Sequence, residues 1–219
     1  MRWAVKTAQE ASPVPLSVDS SLSEIIAEGL AVYDGKAGRP LVNSVALERL
    51  DALDMAQRHN ARVIVMATGA DGMPEDDQQR IDNTNTIMDH VLSKGFALSD
   101  VFMDAIVFPI SVDPQYGTHY FNAVRAIREK YGDEIHIGMG LSNVSFGMPK
   151  RKLINETFIY LGLEAGIDAG LLDPVQTKLN AVFDLDTDSE PVKLASDVLL
   201  GRDDFCMGYI QAFRDGKLG

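Results

Sequence analysis

The sequence predicts an α/β fold built on a parallel sheet, because short, mostly apolar runs alternate along the chain with longer amphipathic stretches. Short apolar runs between helices are typical of strands that are covered on both faces. The chain has 219 residues, of which 46% are hydrophobic and 24% charged, enough for one domain with a sizeable core. Repeated strand–helix units favour either a doubly wound sheet or a barrel.

Six strands are predicted from the apolar runs, and two of them, the second and the sixth, have weak strand propensity. The predicted strands cover residues 14–18, 40–42, 62–67, 101–103, 135–139 and 169–172.

Amphipathic stretches before, between and after these strands predict the helices. They cover residues 1–12, 21–33, 46–60, 75–94, 116–131, 152–165, 192–200 and 202–213. Ser21 and Glu24 have the spacing of a capping box, which predicts a side-chain cap at the start of the second helix. Pro74 and Gly95 bracket the longest predicted helix.

Polar residues follow several predicted strands directly. They are Asp19, Asn43, Thr68, Asp104, Ser142 and Asn143. In a barrel the carboxyl ends of all strands open into one mouth, where active sites lie. No Gly-x-Gly-x-x-Gly follows the first strand, which weakens the dinucleotide-binding alternative. We therefore expect a barrel with its functional side chains gathered at the mouth.

Charge and composition exclude several classes of function. A net charge of −12 disfavours a nucleic-acid partner, because an acidic surface repels phosphates. His59, His90, His119, His136 and the single Cys206 are scattered without metal-ligand spacing, so no metal site is predicted. No apolar run of about 18 residues and no secretory signal is visible. With a lone cysteine, this predicts a cytoplasmic protein that binds no membrane.

The most specific feature is residues 140–155, GLSNVSFGMPKRKLIN, a match that continues through residues 156–158 and 166–170. Residues 16–20, 41–44 and 102–104 add three further motifs in the same order. With these motifs the sequence resembles the methyltetrahydrofolate:corrinoid/iron–sulfur protein methyltransferases. It is also similar to the folate-binding domain of cobalamin-dependent methionine synthase. The matching stretches together span nearly the whole chain.

The resemblance implies a TIM (β/α)8-type barrel over residues 1–219, a single pterin-binding domain that is N-terminally incomplete, with about six βα units. It also implies a homodimer. The expected activity moves the N5-methyl group of methyltetrahydrofolate to the cobalt of a corrinoid, or cobalamin, carried by a partner protein. That partner would supply the nucleophile, so no nucleophilic serine, cysteine or lysine constellation is needed here.

The matched motifs carry six site residues: Asp19, Asn43, Asp104, Ser142, Asn143 and Arg151. By resemblance, the first three hydrogen-bond the pyrimidine edge of the pterin, Asn143 lies near N5, and Ser142 and Arg151 line the site. Asn143 and Asp104 are the expected catalytic residues. N5 is a poor leaving group unless it is protonated. An amide that accepts a hydrogen bond from protonated N5 therefore stabilises the transition state selectively.

Two other functions remain open at this stage. Dihydropteroate synthase uses a similar barrel, but by resemblance it carries an Arg-x-His pair where this sequence reads Leu-Leu-Asp-Pro at residues 171–174. A non-catalytic pterin-binding subunit is the second. Single residues also have structural interpretations, since Asp19 could cap a helix and Asn43 could serve a turn.

Overall fold

The computed structural model describes residues 1–138 and 140–218, and its centre is one sheet of five parallel strands. The strands pair in the order in which they occur along the chain: β1 (Ser17–Asp19), β2 (Leu41–Val45), β3 (Arg62–Met66), β4 (Val101–Asp104) and β5 (His136–Gly138). A doubly wound sheet would reverse its strand order at some point. Sequential parallel pairing is instead the arrangement of a barrel wall, which confirms the predicted fold class.

Helices connect the strands and extend the chain beyond β5. In the described residues they are α1 (Arg2–Ala11), α2 (Ser23–Leu30), α3 (Asp51–Arg58), α4 (Asp77–Ser93), α5 (Tyr116–Tyr131), α6 (Arg151–Ala165), α7 (Leu179–Phe183), α8 (Glu190–Leu199) and α9 (Met207–Arg214). None of the helices in this part of the chain combines the length and the apolarity that crossing a bilayer requires.

The two faces of the sheet differ in composition because side chains alternate along each strand. Val18, Val42, Val63 and Val101 lie in register across four strands, and each is at most 1% exposed. They belong to the core that also contains residues of α2 and α3. The other face carries a different row in register: Asp19, Asn43, Ile64, Phe102 and His136. Apart from Ile64 these residues are exposed or half-buried. The polar candidates of β1 and β2 therefore lie on the face opposite the valines.

The predicted sixth strand is reduced to one parallel bridge between Gly138 and Ala169. Beyond that bridge, the Leu141 N–H donates to the Leu171 carbonyl at a long 3.4 Å. β5 is short, and the chain forms a 3-10 helix at Leu141–Ser145 soon after it. Few residues of β5 are therefore available to pair with residues 169–172. Gly170 also weakens strand formation. Met139, the last residue of the predicted fifth strand, lies outside the described residues.

The predicted capping box at α2 is wrong. α2 begins at Ser23, and Leu22 occupies the N-cap position with no side-chain cap. The hydroxyl of Ser20 instead accepts the Leu22 N–H at 3.2 Å. A serine that bonds the backbone two residues onward makes a local turn, and this turn sets the entry to the helix. α7 was not predicted, whereas the predicted bounds of α5 are confirmed.

Candidate active site

The end of β1 and the middle of β2 bring two of the predicted site residues together, since β2 continues past the predicted residue 42 to Val45. Asp19 and Asn43 are register partners, and Asn43 Nδ2 donates to Asp19 Oδ2 at 3.2 Å. Asp19 is exposed and Asn43 half-buried, so both side chains can be reached from the mouth. A carboxylate beside an amide presents acceptors and donors next to one another, which is the pattern that a pterin edge requires.

Arg49, which the sequence analysis did not single out, supports this pair. Its Nη1 donates to the Ser20 carbonyl at 3.2 Å and its Nη2 to the Ser44 hydroxyl at 3.0 Å. The Ser20 N–H in turn donates to the Asn43 carbonyl at 3.1 Å. The peptide bond between Asn43 and Ser44 is cis. One arginine thus links the residue that follows β1 to β2 itself.

Asp104 ends β4, where it is in register with Met66 of β3 and Gly138 of β5. Its Oδ1 accepts the N–H of Ile106 at 2.9 Å. The residue is only half-buried, but its carboxyl group lies among buried atoms, and this burial raises its pKa to about 6. The bond from Ile106 acts in the opposite direction. A carboxyl group that titrates near neutrality is suited to proton transfer.

Buried hydroxyls lie at this edge of the sheet. Tyr120 of α5 is 1% exposed, and its hydroxyl has no hydrogen-bond partner in the described residues. Burial raises the pKa of Tyr120, and the negative charge of Asp104 adds to that rise. Thr68, just beyond β3, is 4% exposed, and its hydroxyl is likewise unpartnered within the described chain. Sequence reasoning found Thr68 from its position but had no signal for Tyr120, which lies inside a helix.

Asn143 lies in the 3-10 helix Leu141–Ser145, which follows β5, and its side chain is exposed. This segment is bound to the loop that follows β4. The Ile110 N–H donates to the Val144 carbonyl at 3.1 Å, and the Ser111 hydroxyl donates to the Phe146 carbonyl at 2.7 Å. The segments after Asp104 and around Asn143 therefore form one continuous rim.

Ser142 and Arg151 are also brought together. Arg151 Nη2 donates to the Ser142 carbonyl at 2.7 Å, and its Nε donates to the Ser145 hydroxyl at 3.0 Å. Both residues line a cavity of about 240 Å³, together with Asn155 and Gln176. This cavity lies beside the Asn143 segment, and its lining does not include Asp19, Asn43 or Asp104.

The predicted residues thus fall into three groups along one edge of the sheet: the Asp19–Asn43 pair, the half-buried Asp104, and the segment from Ser142 to Arg151. Direct contacts join residues within the first and third groups. Asp104 lies two strands from Asn43 in the sheet order. The assignment of all six residues to one pterin site stays a prediction.

Comparison with known proteins defines the class of this chain. Residues 3–173 match the family described as pterin binding enzyme, and the chain belongs to that family. It is 31% identical, over 226 aligned residues, to the methylcorrinoid:tetrahydrofolate methyltransferase of Eubacterium limosum. That match covers 100% of this chain and 78% of the relative.

Two solved structures share the fold. The dihydropteroate synthase of Yersinia pestis, solved with a pterine–sulfa conjugate, matches with a TM-score of 0.62 and 16% identity over 84% of this chain and 72% of its own. A dihydropteroate synthetase solved with a product matches with a TM-score of 0.60 and 14% identity over 98% of this chain and 73% of its own. At these identities the likeness shows the fold alone.

Proposed function

We propose that this protein is a methyltransferase that moves a methyl group between N5 of tetrahydrofolate and the cobalt of a corrinoid carried by a separate protein. The observation that carries the proposal is the series Asp19, Asn43 and Asp104 along the carboxyl edge of a barrel wall from a pterin-binding family. The name of the Eubacterium limosum relative, which matches over the full length of this chain, supports the same reaction.

The direction of transfer is a separate question. Sequence analysis predicted transfer from methyltetrahydrofolate to cobalt, whereas the relative's name describes transfer from a methylcorrinoid to tetrahydrofolate. Both directions cross the same transition state, so one site serves both. We propose that transfer from methyltetrahydrofolate to cobalt is the favoured direction. The test compares the maximal rates of the two directions, each measured with saturating substrates.

Pterin recognition would rest on Asp19, Asn43 and Asp104. The pyrimidine edge of a pterin places amine and amide N–H donors beside a carbonyl acceptor. Carboxylates accept from the donors, and the Asn43 amide can serve either kind of group. Buried polar partners discriminate strongly, because a ligand without the matching group leaves them unpaired.

The chemical step needs help at N5. As the methyl carbon bonds to cobalt, the C–N bond breaks, its electron pair stays on N5, and the amine leaves readily only when N5 carries a proton. The exposed amide of Asn143 would accept a hydrogen bond from that N5–H. Asp104 would bind the pyrimidine ring. Because its pKa of about 6 lies close to neutral pH, its carboxyl group can be protonated or ionised as the step requires.

Methyl transfer to reduced cob(I)alamin, followed by its absorbance, tests the proposal. The variant Asn143→Ala should lower kcat/KM for methyltetrahydrofolate by roughly 100-fold, the typical cost of losing one transition-state hydrogen bond. Asn180→Ala is the matched control, since Asn180 is an exposed asparagine in α7, outside the rim. It should retain the rate of the unmodified protein. Folate binding without methyl transfer would instead identify a non-catalytic pterin-binding subunit.

A further inference from the structure

A fully buried arginine is bonded to the two residues that follow Asp104. Arg80, in the first turns of α4, is 0% exposed. Its Nε donates to the Ala105 carbonyl at 3.1 Å, and its Nη1 donates to the Asp76 carbonyl at 2.7 Å. Nε and Nη2 both approach the Ile106 carbonyl at 3.4 Å. The guanidinium thus bridges the start of α4 and the two residues that follow β4.

Those two residues make an unfavourable turn. Ile106 has a φ of 63°, in the left-handed region that a β-branched side chain rarely adopts. From this conformation its N–H donates to Asp104 Oδ1 at 2.9 Å. An isoleucine would relax towards extended backbone unless neighbouring groups held it, and relaxation would withdraw the N–H from the carboxylate.

We infer that Arg80 is a positioning residue for the proposed reaction: its guanidinium holds the turn formed by Ala105 and Ile106, and this turn orients the Asp104 carboxyl group. The inference rests on the role of Asp104 in the proposed function. Arg80 acts through the main chain and does not contact the pterin.

The burial of Arg80 argues for a specific role. Taking a guanidinium out of water is costly, and an apolar side chain of similar size often serves stability as well or better. The ring of Phe108 lies 5.1 Å from the guanidinium carbon and offsets part of that cost. What an apolar side chain could not supply is a set of donors for the Ala105 and Ile106 carbonyls.

Arg128 provides an internal comparison. It lies in the last turn of α5 and donates to the carbonyls of Gly132, Ile135 and Gly166. It is therefore a second arginine bound to main-chain carbonyls. Its partner Ile135 directly precedes β5, so this arginine lies at the amino end of the sheet, away from the mouth. Loss of either arginine should destabilise the fold. Only the loss of Arg80 should alter Asp104.

Three ionisable groups near Asp104 bear on a titration. Arg80 of α4 is bonded to the turn that follows Asp104, and Tyr120 of α5 lies close enough for the charge of Asp104 to influence it. Tyr120 stays protonated because burial raises its pKa. His136 of β5 lies on the same face of the sheet, one row towards the amino ends, and its Nδ1 is 2.8 Å from Asp168. Because these groups and Asp104 lie close together, the probe must report on Asp104 alone.

The experiment compares Arg80→Lys with Arg128→Lys in the full chain without ligand. The pKa of Asp104 is measured from the pH dependence of its 13C-labelled side-chain carboxyl resonance, assigned with Asp104→Asn, and Tm is recorded in parallel. In Arg80→Lys the carboxyl loses its Ile106 N–H, so its pKa should rise from about 6 by roughly 0.5 to 1. In Arg128→Lys it should stay at its original value, although both variants lower Tm. An equal Asp104 titration in both variants would overturn the inference.

Ile106→Gly keeps the inference testable even if Arg80→Lys fails to fold. Glycine adopts a positive φ without strain and removes the packing of the buried Ile106 side chain, while Arg80 remains. If Arg80 holds the turn, the pKa of Asp104 stays unchanged in this variant. If it rises, side-chain packing holds the turn and Arg80 does not. All these titrations need no substrate, so they stand apart from the methyl-transfer assay that decides the proposed function.

Discussion

Asp19 and Asp104 both end parallel strands of the same sheet, yet their surroundings differ. β1 is an edge strand, and Asp19 is exposed beside the Asn43 amide. β4 is an inner strand, and burial of the Asp104 carboxyl group raises its pKa to about 6. The same position along a strand therefore gives one carboxylate suited to recognition and another suited to protonation, because the neighbouring elements decide how much water each one meets.

The largest expected effect is on catalysis. Asp104→Asn keeps the size of the side chain and an oxygen for the Ile106 N–H, but it removes the ionisable carboxyl group. We expect kcat/KM for methyltetrahydrofolate to fall by roughly 100- to 1000-fold. Steady-state kinetics against the unmodified protein measure this. A smaller loss in Asp104→Asn than in Asp19→Asn would break the proposed division between the two carboxylates.

The next effect is on stability and its dependence on pH. Folding raises the pKa of Asp104 from 3.8 to about 6, so the folded state favours the protonated carboxyl. Below pH 3.8 the carboxyl group is protonated in both the folded and the unfolded state, so the free energy of unfolding is not reduced. As pH rises from 3.8 towards 6, the unfolded state loses this proton while the folded state retains it, so the free energy of unfolding decreases. Above about 6 the folded state carries the buried charge as well, and the loss is complete.

Asp104→Asn removes that ionisation. It should therefore raise the free energy of unfolding by about 1–3 kcal/mol near pH 7.5 and leave it unchanged near pH 3.5. Urea unfolding at both pH values measures the difference. Asp184→Asn, at an exposed loop position, is the control and should show no such gain. An equal gain at both pH values would mean that ionisation of Asp104 is not the cause.

A smaller effect is expected at the exposed pair. Asp19→Asn should raise KM for methyltetrahydrofolate by roughly 10-fold. The substitution replaces a charged hydrogen-bond acceptor by a neutral amide, and water can still reach the site. Asn43→Ala should behave similarly. Since the two side chains are bonded at 3.2 Å, the double variant should cost less than the sum of the two single changes. Strict additivity in this cycle would show that the two residues act independently.

The smallest effect is expected at Arg49. Arg49→Met removes the bonds to the Ser20 carbonyl and the Ser44 hydroxyl and keeps most of the side-chain length. We expect a loss of about 0.5–1.5 kcal/mol in the free energy of unfolding, measured by urea. KM should change by less than it does in Asp19→Asn. A larger change in KM would place Arg49 itself at the ligand.

Sequence could predict the parts of this molecule that depend on local pattern. The alternation of apolar runs and helices predicted the parallel barrel wall. The polar residues after predicted strands included the neighbours Asp19 and Asn43, although β2 continues beyond Asn43 to Val45. The sixth strand failed because pairing depends on the partner, and the chain after β5 coils into a 3-10 helix. The capping box failed because Ser20 offered the backbone a competing bond.

Arg80 and Arg49 could not be found from sequence. Their partners include a nearby hydroxyl and main-chain carbonyls 25 or more residues away, and no side-chain pattern marks a carbonyl that needs a donor. The raised pKa of Asp104 could not be predicted from the sequence either, since it arises from the burial of this carboxyl group by surrounding elements. Both properties depend on tertiary contacts that spacing along the chain does not encode.

The Arg151 bonds to Ser142 and Ser145 have a consequence for ligand affinity. The loop that presents Asn143 is already fastened to α6 on one side and to the segment after β4 on the other. A ligand arriving there would not have to freeze a disordered segment, and the entropy that such freezing consumes is often a large fraction of the attraction at a site. The association rate should accordingly be limited by diffusion of the ligand to the site and little slowed by rearrangement of the rim.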